Sequence, residues 1–489
     1  MNRSIRTFLT LAFLLPGAWL SAQKGYRIEV RIGGFQQQQL FLAYHYGDKQ
    51  YLRDTAERKD GAFVFEGEEP MPGGIYLVVM PPKNNYFEVI LDQDQHFSIE
   101  TDTLDLVQRM KIKGCPENEL FYQDLQFLGS KRKEMNDIQA QLKQAAAGSE
   151  EEKRLKAAGE ALDKAVTEHR KRFIAEHPSL FYTKVLRSLE PPQVPEAPKD
   201  ENGKALDSLF AFKYYRRHFF DQVDFTDDRM LRTPVLMTKV NEYIDKLTYR
   251  MPDSINQSID YIIAQTRPND DVYQYFVIHF LNKYAQSKIM GMDAVYVHMV
   301  ENYYLDGKAW WADSATVAKM EERARAISPT LVGRPAPDFY AQDVNGRTQH
   351  PHGIKAKYTI LYFWDYDCSH CKKVTPQLAA LFPQYKDYDV KLFAVSINGD
   401  VEVWKQKLAE YKLDQPNVIN VQDHARRSGF DSKYDILSTP RIFLLNEDKS
   451  ILAKQISVEQ VEEILNHELG LPAPVRAEAA EGEAEESEE

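Results

Sequence analysis

The sequence predicts a multidomain α+β protein, with an N-terminal β-sandwich-like domain, a central α-helical region and a C-terminal α/β domain. Three observations predict it. Between Tyr26 and about Thr101, short apolar runs alternate with polar residues at a period of two, as half-buried strands do. From Glu117 onward the apolar residues recur at helical spacing in long polar segments. From about residue 329 to 470, strand-like runs alternate with helix-like ones, the pattern of a sheet covered by helices. A chain of 489 residues is also too long for one core, so several domains are expected.

Taken in order, the chain opens on Met1-Asn-Arg3-Ser-Ile-Arg6, an apolar run from Phe8 to Leu20, and Ser21-Ala22. A positive start, a short apolar middle and small residues at the end form a signal peptide over residues 1–22, cleaved near Ala22. The run is shorter than the roughly 20 residues of a span and is broken by Pro16-Gly17. No later apolar segment is long enough to cross a bilayer, so the expected mature chain has no transmembrane segment and is periplasmic or held in the cell envelope.

Residues 23–114 are the expected β-rich domain, with turns at Gly33-Gly34, Asp60-Gly61 and Gly73-Gly74. Residues 115–328 are the expected helical region. It starts with two long polar-faced helices broken at Gly148-Ser149, passes a proline-rich loop from Pro191 to Gly203, and continues in aromatic helical segments. Phe210, Tyr214, Phe219 and Phe220 are spaced as a core stripe, and His218, His279 and His298 stand apart from one another and from the cysteines. Residues 329–470 are the expected α/β domain, closed by a capping box at Ser457-x-x-Gln460 and by Gly470. The remainder, 471–489, is an acidic tail. Its last fourteen residues hold seven Glu and one Arg, half of the net charge of -12, and read as a solvated disordered end. No basic cluster suggests nucleic acid.

Chemistry concentrates at Leu361-Tyr-Phe-Trp-Asp-Tyr-Asp-Cys368-Ser-His-Cys371, where an apolar strand runs into two cysteines that open a helix. Cys368 falls on the first turn, where free backbone N–H groups stabilise a thiolate. Cys371, one turn on, faces the same side. Cys368 is thus placed to attack a disulfide and Cys371 to resolve the mixed disulfide. His370 favours the thiolate as imidazolium, whereas Asp365 and Asp367 oppose it. A zinc site needs about four ligands and only one such pair exists. Haem attachment needs His after the second cysteine, where Lys372 stands. A structural disulfide across this spacing would close almost no loop. The remaining thiol, Cys115, reads as buried and inert.

Phe363-Trp364, Cys368-Ser-His-Cys371, Pro376 and Thr439-Pro440 together resemble the thioredoxin superfamily. The lead-in Gly333-x-Pro-Ala-Pro-Asp-Phe339 and the extra helix and strand between about 400 and 421 resemble its exported TlpA/ResA-like branch. The N-terminal regions are similar, less specifically, to uncharacterised modules that precede such domains in envelope proteins. The resemblance implies a thioredoxin-like fold over 329–470, a redox-active Cys368–Cys371 disulfide, a cis Thr439-Pro440 bond, and substrate positioning by Thr439, Pro440 and Trp364. Asp365 stands where peroxiredoxins place Thr or Ser, against a peroxidase.

The implied function is an exported thiol-disulfide oxidoreductase, reductase or isomerase rather than strong oxidant. It would act on protein substrates and be served by a membrane-bound thiol partner, with no cofactor. The alternative is an envelope binding or assembly protein that uses the domain as a scaffold. Two positions depart from the family. Tyr362 stands where thioredoxins carry a buried Asp, and Val374 where TlpA-like proteins often carry Glu. Asp365 or Asp367, acting through water, are the candidate replacements.

Overall fold

The alternation of the first hundred residues becomes eight strands: β1 (Tyr26–Gly33), β2 (Gln39–Tyr46), β3 (Lys49–Lys59), β4 (Ala62–Gly67), β5 (Gly74–Met80), β6 (Asn85–Leu91), β7 (His96–Asp102) and β8 (Lys111–Lys113). They appear in a computed structural model that describes residues 25–474. The expected signal peptide and residues 475–489 of the expected tail lie outside that range. The chain divides into two compact units, one ending at Tyr243 and the other starting at Ile244.

In the first unit the strands form one sheet of order β6-β5-β2-β3-β4-β1-β7-β8. Ile28, Val30 and Ile32 of β1 are buried and the residues between them are not, so the period of two is the reason for the strand. Asp60 and Gly61 both have positive φ and close the β3–β4 hairpin, the geometry a two-residue turn requires. The pairing is not antiparallel throughout, because β1 and β7 run parallel. Between them the chain makes β2 to β6 and comes back to the other edge of β1.

Helices α1 (Pro116–Leu142) and α2 (Glu150–Glu176) form the expected pair, joined through Gly148 and capped by Ser149, whose side chain accepts from Glu152 N. The unit continues with α3 (Phe181–Ser188), α4 (Phe210–Arg217) and the start of α5 (Pro234–Lys246). The first turns of α1 seal the edge strand β6. Asn118 accepts from Ile90 N at 2.8 Å and donates to Ile90 O at 2.6 Å, and the Tyr122 hydroxyl donates to Glu88 O at 2.7 Å. A side chain thus supplies the pairing that a neighbouring strand would give. Phe219 and Phe220 are buried, as the aromatic stripe predicts, while Phe210 and Tyr214 are half-buried.

The second unit has four helices, α6 (Pro252–Thr266), α7 (Asp270–Ala285), α8 (Asp293–Met299) and α9 (Ser314–Ile327), followed by the α/β domain. Its elements are β9 (Ala341–Asp343), β10 (Thr348–Gln349), β11 (Tyr358–Trp364), α10 (Ser369–Leu381), β12 (Val390–Ser396), α11 (Val401–Glu410), β13 (Val418–Gln422), α12 (Phe430–Lys433), β14 (Arg441–Leu445), β15 (Ile451–Lys454) and α13 (Val458–Leu469). The sheet order is β10-β9-β13-β12-β11-β14-β15, with β11, β12 and β13 parallel.

All seven residues of the central strand β11 are buried, which is why it reads as an unbroken apolar run. Tyr362 and Trp364 face one core with Leu378, Trp404 and Leu465. Leu361 and Phe363 face the other with Phe339, Phe393 and Tyr434. The lead-in pairs with the sheet edge, since Gly333 N donates to Ile451 O and Ile451 N to Arg334 O, each at 2.8 Å. The buried Lys454 pairs with Asp293 at the start of α8, and Arg323 of α9 with Asp435 at 2.6 Å. Both fasten helices of this unit to the α/β domain. Leu471 N donates to Asn466 O, and Asn466 Nδ2 to Pro472 O, so the first residues of the expected tail are tied to α13. Among the described residues no helix is long and apolar enough to cross a membrane.

Candidate active site

Strand β11 ends at Trp364 and helix α10 begins at Ser369, so residues 365–368 form the turn between them. Cys368 is the N-cap of α10, in an extended conformation. It is partly exposed, whereas Cys371 is completely buried. The Cys368 sulfur donates to the Thr439 carbonyl at 3.4 Å. The sulfur of Cys371 accepts from the Asp365 amide, also at 3.4 Å. The Thr439-Pro440 bond is cis, as the resemblance implies. Thr439 therefore stands beside the thiols although 71 residues separate it from Cys368 in sequence.

The two thiols are driven apart in acidity. Burial pushes Cys368 up, but the nearby backbone N–H of Cys371, the Cys371 thiol, the His370 N–H and Thr439 outweigh it, and its pKa is lowered. Burial pushes Cys371 up to about 11, only partly relieved by the Asp365 amide and Thr439. This split follows from helix geometry, because the free N–H groups of a first turn point at the N-cap and not at the residue buried behind it.

His370 is exposed. Its backbone N–H is the part that reaches Cys368, where the sequence points to the imidazole. Asp365 is half-buried and Asp367 exposed. Asp365 Oδ1 accepts from Asp367 N at 2.7 Å and from Asn398 Nδ2 at 2.8 Å, and Asn398 Nδ2 also reaches Asp367 Oδ2 at 3.4 Å. This is an Asx-type turn that shapes the loop. Trp364 is fully buried and packs edge-on against Tyr411 at 6.1 Å. It lies beneath the thiols, enclosed by the core, and offers no surface to a substrate.

Two residues of the site, Asn398 and Leu437, and one contact, that of Tyr362 with Thr375, escape the sequence reading. Asn398 follows β12 and ties the turn together, accepting from Tyr366 N at 2.9 Å through Oδ1. Its own carbonyl is held by Gln422 at 2.6 Å. Leu437, two residues before Thr439, is 79% exposed on the loop that carries the cis bond. Tyr362 is completely buried, and its hydroxyl lies 2.7 Å from Thr375 Oγ1. Asn398 had one available signal, since an Asn-Gly-Asp turn closing a buried parallel strand lies at the end of the sheet where sites form. Cys115 is buried, with Asn118 Nδ2 at 3.0 Å from its sulfur.

Residues 332–454 match the AhpC/TSA family. Residues 26–121 and 147–327 each match a domain of unknown function, DUF4369 and DUF5106. The chain is similar to the thiol-disulfide oxidoreductase ResA of Geobacillus kaustophilus, 30% identical over 135 residues, which are 27% of this chain and 74% of that protein. ResA of Bacillus thuringiensis is 27% identical over 138 residues, 28% of this chain and 76% of that one. Among solved structures, a domain of possible thiol-disulfide isomerase from Cytophaga hutchinsonii is 31% identical, covering 29% of this chain and 96% of its own, with a TM-score of 0.27. Through its C-terminal α/β domain the chain belongs to the thioredoxin-like thiol-disulfide oxidoreductases of the ResA type.

Proposed function

We propose that this oxidoreductase works outside the cytosol on disulfides of protein substrates, as a reductase or isomerase, through Cys368 and Cys371. One observation carries the reading. Partly exposed Cys368 caps the helix beside the cis Thr439-Pro440 bond, and its pKa is lowered, while Cys371 behind it is completely buried and its pKa is pushed up to about 11. A nucleophile must be ionised and reachable, whereas a resolving thiol must wait.

In the reductive direction the Cys368 thiolate attacks one sulfur of a substrate disulfide, forming a mixed disulfide and releasing the other sulfur as a thiolate. Cys371 then loses its proton and attacks Cys368 Sγ. The Cys368–Cys371 bond forms, the bond to substrate breaks, and the second substrate sulfur leaves and takes up a proton. The substrate is reduced by two electrons and the pair oxidised by two. In this reading Thr439 and Pro440 receive the substrate backbone beside the thiols, in the manner of an added strand. Asp365 and Asp367 shape the turn and weight its charge, and His370 contributes chiefly its amide. A membrane-bound thiol donor returns the pair to the dithiol. Export is supported by the charged and apolar start of the sequence.

Trapping tests it. Cys371→Ser in cells should accumulate mixed disulfides with envelope proteins, resolved on non-reducing gels and lost on reduction. If none accumulate, and the wild-type chain also leaves insulin disulfides intact in the presence of a thiol donor, the proposal is wrong.

A further inference from the structure

Cys371 has a chemical problem that the residues assigned so far do not solve. It must become a thiolate to resolve the mixed disulfide, yet it is completely buried, and burial opposes the charge. Neither Tyr362 on β11 nor Val374 on α10, its neighbours in the same core, is an acid. Asp365 offers Cys371 its backbone amide, while its Oδ1 is held by Asp367 N and Asn398.

The buried face of the site contains a second polar device. Tyr362 lies on β11, on the same face as Trp364, and shares a core with Cys371. Its hydroxyl meets Thr375 Oγ1 at 2.7 Å. Thr375 is one turn after Cys371 on α10, and all three side chains are completely buried. Spacing of i, i+4 on a helix sets Cys371 and Thr375 side by side, so the phenol that reaches one is next to the other. Burial first, and then the neighbouring Cys371 and Cys368 sulfurs, hold the Tyr362 phenol above its ordinary pKa. The other titratable groups facing Cys371 are Cys368 and, from the end of α11, Tyr411.

We infer that Tyr362 is the hydrogen-bond donor that stabilises the Cys371 thiolate during resolution, and that Thr375 is the positioning residue that turns its hydroxyl toward the sulfur. The inference deepens the oxidoreductase reading and rests on it. Two buried hydroxyls 2.7 Å apart share one hydrogen bond, and either can be its donor. While Cys371 is a thiol, the Tyr362 hydroxyl donates to Thr375. As Cys371 ionises, the direction reverses: Thr375 donates to the phenol oxygen and Tyr362 donates to sulfur. Tyr362 takes no proton, because burial raises its own pKa far above the usual phenol value and a phenol is no base near neutrality. The proton of Cys371 ends on the departing substrate thiol, so the step balances with no further acid.

The test is single-turnover reaction of the reduced full-length chain with oxidised glutathione, which supplies a mixed disulfide on Cys368 without any protein recognition. Acid quenching and intact mass count the mixed disulfide with time. A hydrogen bond to a charged group corresponds to about a tenfold rate change or somewhat more. Tyr362→Phe and Thr375→Val are therefore expected to slow resolution about tenfold, while Thr375→Ser, which keeps the hydroxyl, stays near wild type. The reduction potential at pH 7 should not move in any of the three, because Cys371 is protonated in the reduced chain with or without the phenol. Resolution within about twofold of wild type in Tyr362→Phe overturns the inference. So does a potential that shifts in step with the rate, which would mean distorted packing. Failure to act on protein disulfides sinks the oxidoreductase reading separately, since glutathione still reports on Tyr362.

Discussion

Two cysteines of this chain occupy the same position in local structure and behave in opposite ways. Cys368 is the N-cap of α10 and Cys115 the N-cap of α1, both in extended backbone. The helix-terminus argument applies equally to both. Yet the Cys368 pKa is lowered and the Cys115 pKa raised. Burial is the largest influence on Cys115, and hydrogen bonds from Asn118 only partly offset it. For Cys368, which is partly exposed, the same kind of N–H donors prevail. A helix N-terminus favours a thiolate only where desolvation is small, and exposure decides which term wins.

The largest effect that would break this comparison is in labelling. Iodoacetamide on the reduced native chain at pH 7 should modify Cys368 at least about a hundredfold faster than Cys115 or Cys371, since the buried thiols react only through local opening. Peptide mass mapping reads the three sites separately, and comparable labelling of Cys115 would refute the contrast. Because the Cys368 pKa is depressed, its rate should climb with pH and level off below the pH at which an ordinary thiol does.

Next in size is Asn118→Ala. It strips partners from buried Ile90 N and O at the sealed edge of β6, and should cost about 2–4 kcal/mol, seen as a lower denaturation midpoint. Its effect on turnover should be nil. A smaller effect separates the two parts of His370. Removing the amide with His370→Pro should raise the Cys368 titration midpoint by roughly half to one unit, while His370→Ala should move it less. Proline is tolerated in a first helical turn, so the helix survives. The smallest is Asp365→Asn with Asp367→Asn. Loss of negative charge favours the thiolate, so the midpoint should fall, by less than about half a unit at physiological salt.

The same contrast explains what was legible in the sequence. Strand β11, the helix after it and the cysteine pair were legible because each is a local pattern: an unbroken apolar run, a 3.6-residue period, a two-residue spacing. Thr439-Pro440 was legible only through the family resemblance, since nothing local says that a proline 69 residues after Cys371 will stand beside it. Asn398 and Tyr411 were not legible because each depends on how β12 and α11 pack beside β11, and the Tyr362–Thr375 contact because it depends on how α10 lies across β11. Asp365 was read as a proton acceptor from sequence proximity, whereas its amide and its carboxylate face different partners. Helix α9, capped by Asp313 accepting from Thr316 N at 2.9 Å, went unseen because its exposed, charge-rich face hides a weak apolar stripe. The parallel β1–β7 pair went unseen because period-two alternation carries no strand direction.

The lead-in at Gly333–Ala336 bears on how the molecule can be taken apart. Gly333 N donates to Ile451 O, Ile451 N donates to Arg334 O and Ala336 N donates to Lys449 O, each at 2.8 Å, so this stretch serves as the margin of the β15 side of the sheet. A fragment cut at Pro337 would keep both cysteines and the cis proline, yet would leave both backbone groups of Ile451 and the Lys449 carbonyl open at the start of β15. Such a margin recruits another copy. Dissection of the catalytic domain should therefore begin upstream of Gly333, and self-association of a shorter piece would report the cut, not a property of the whole chain.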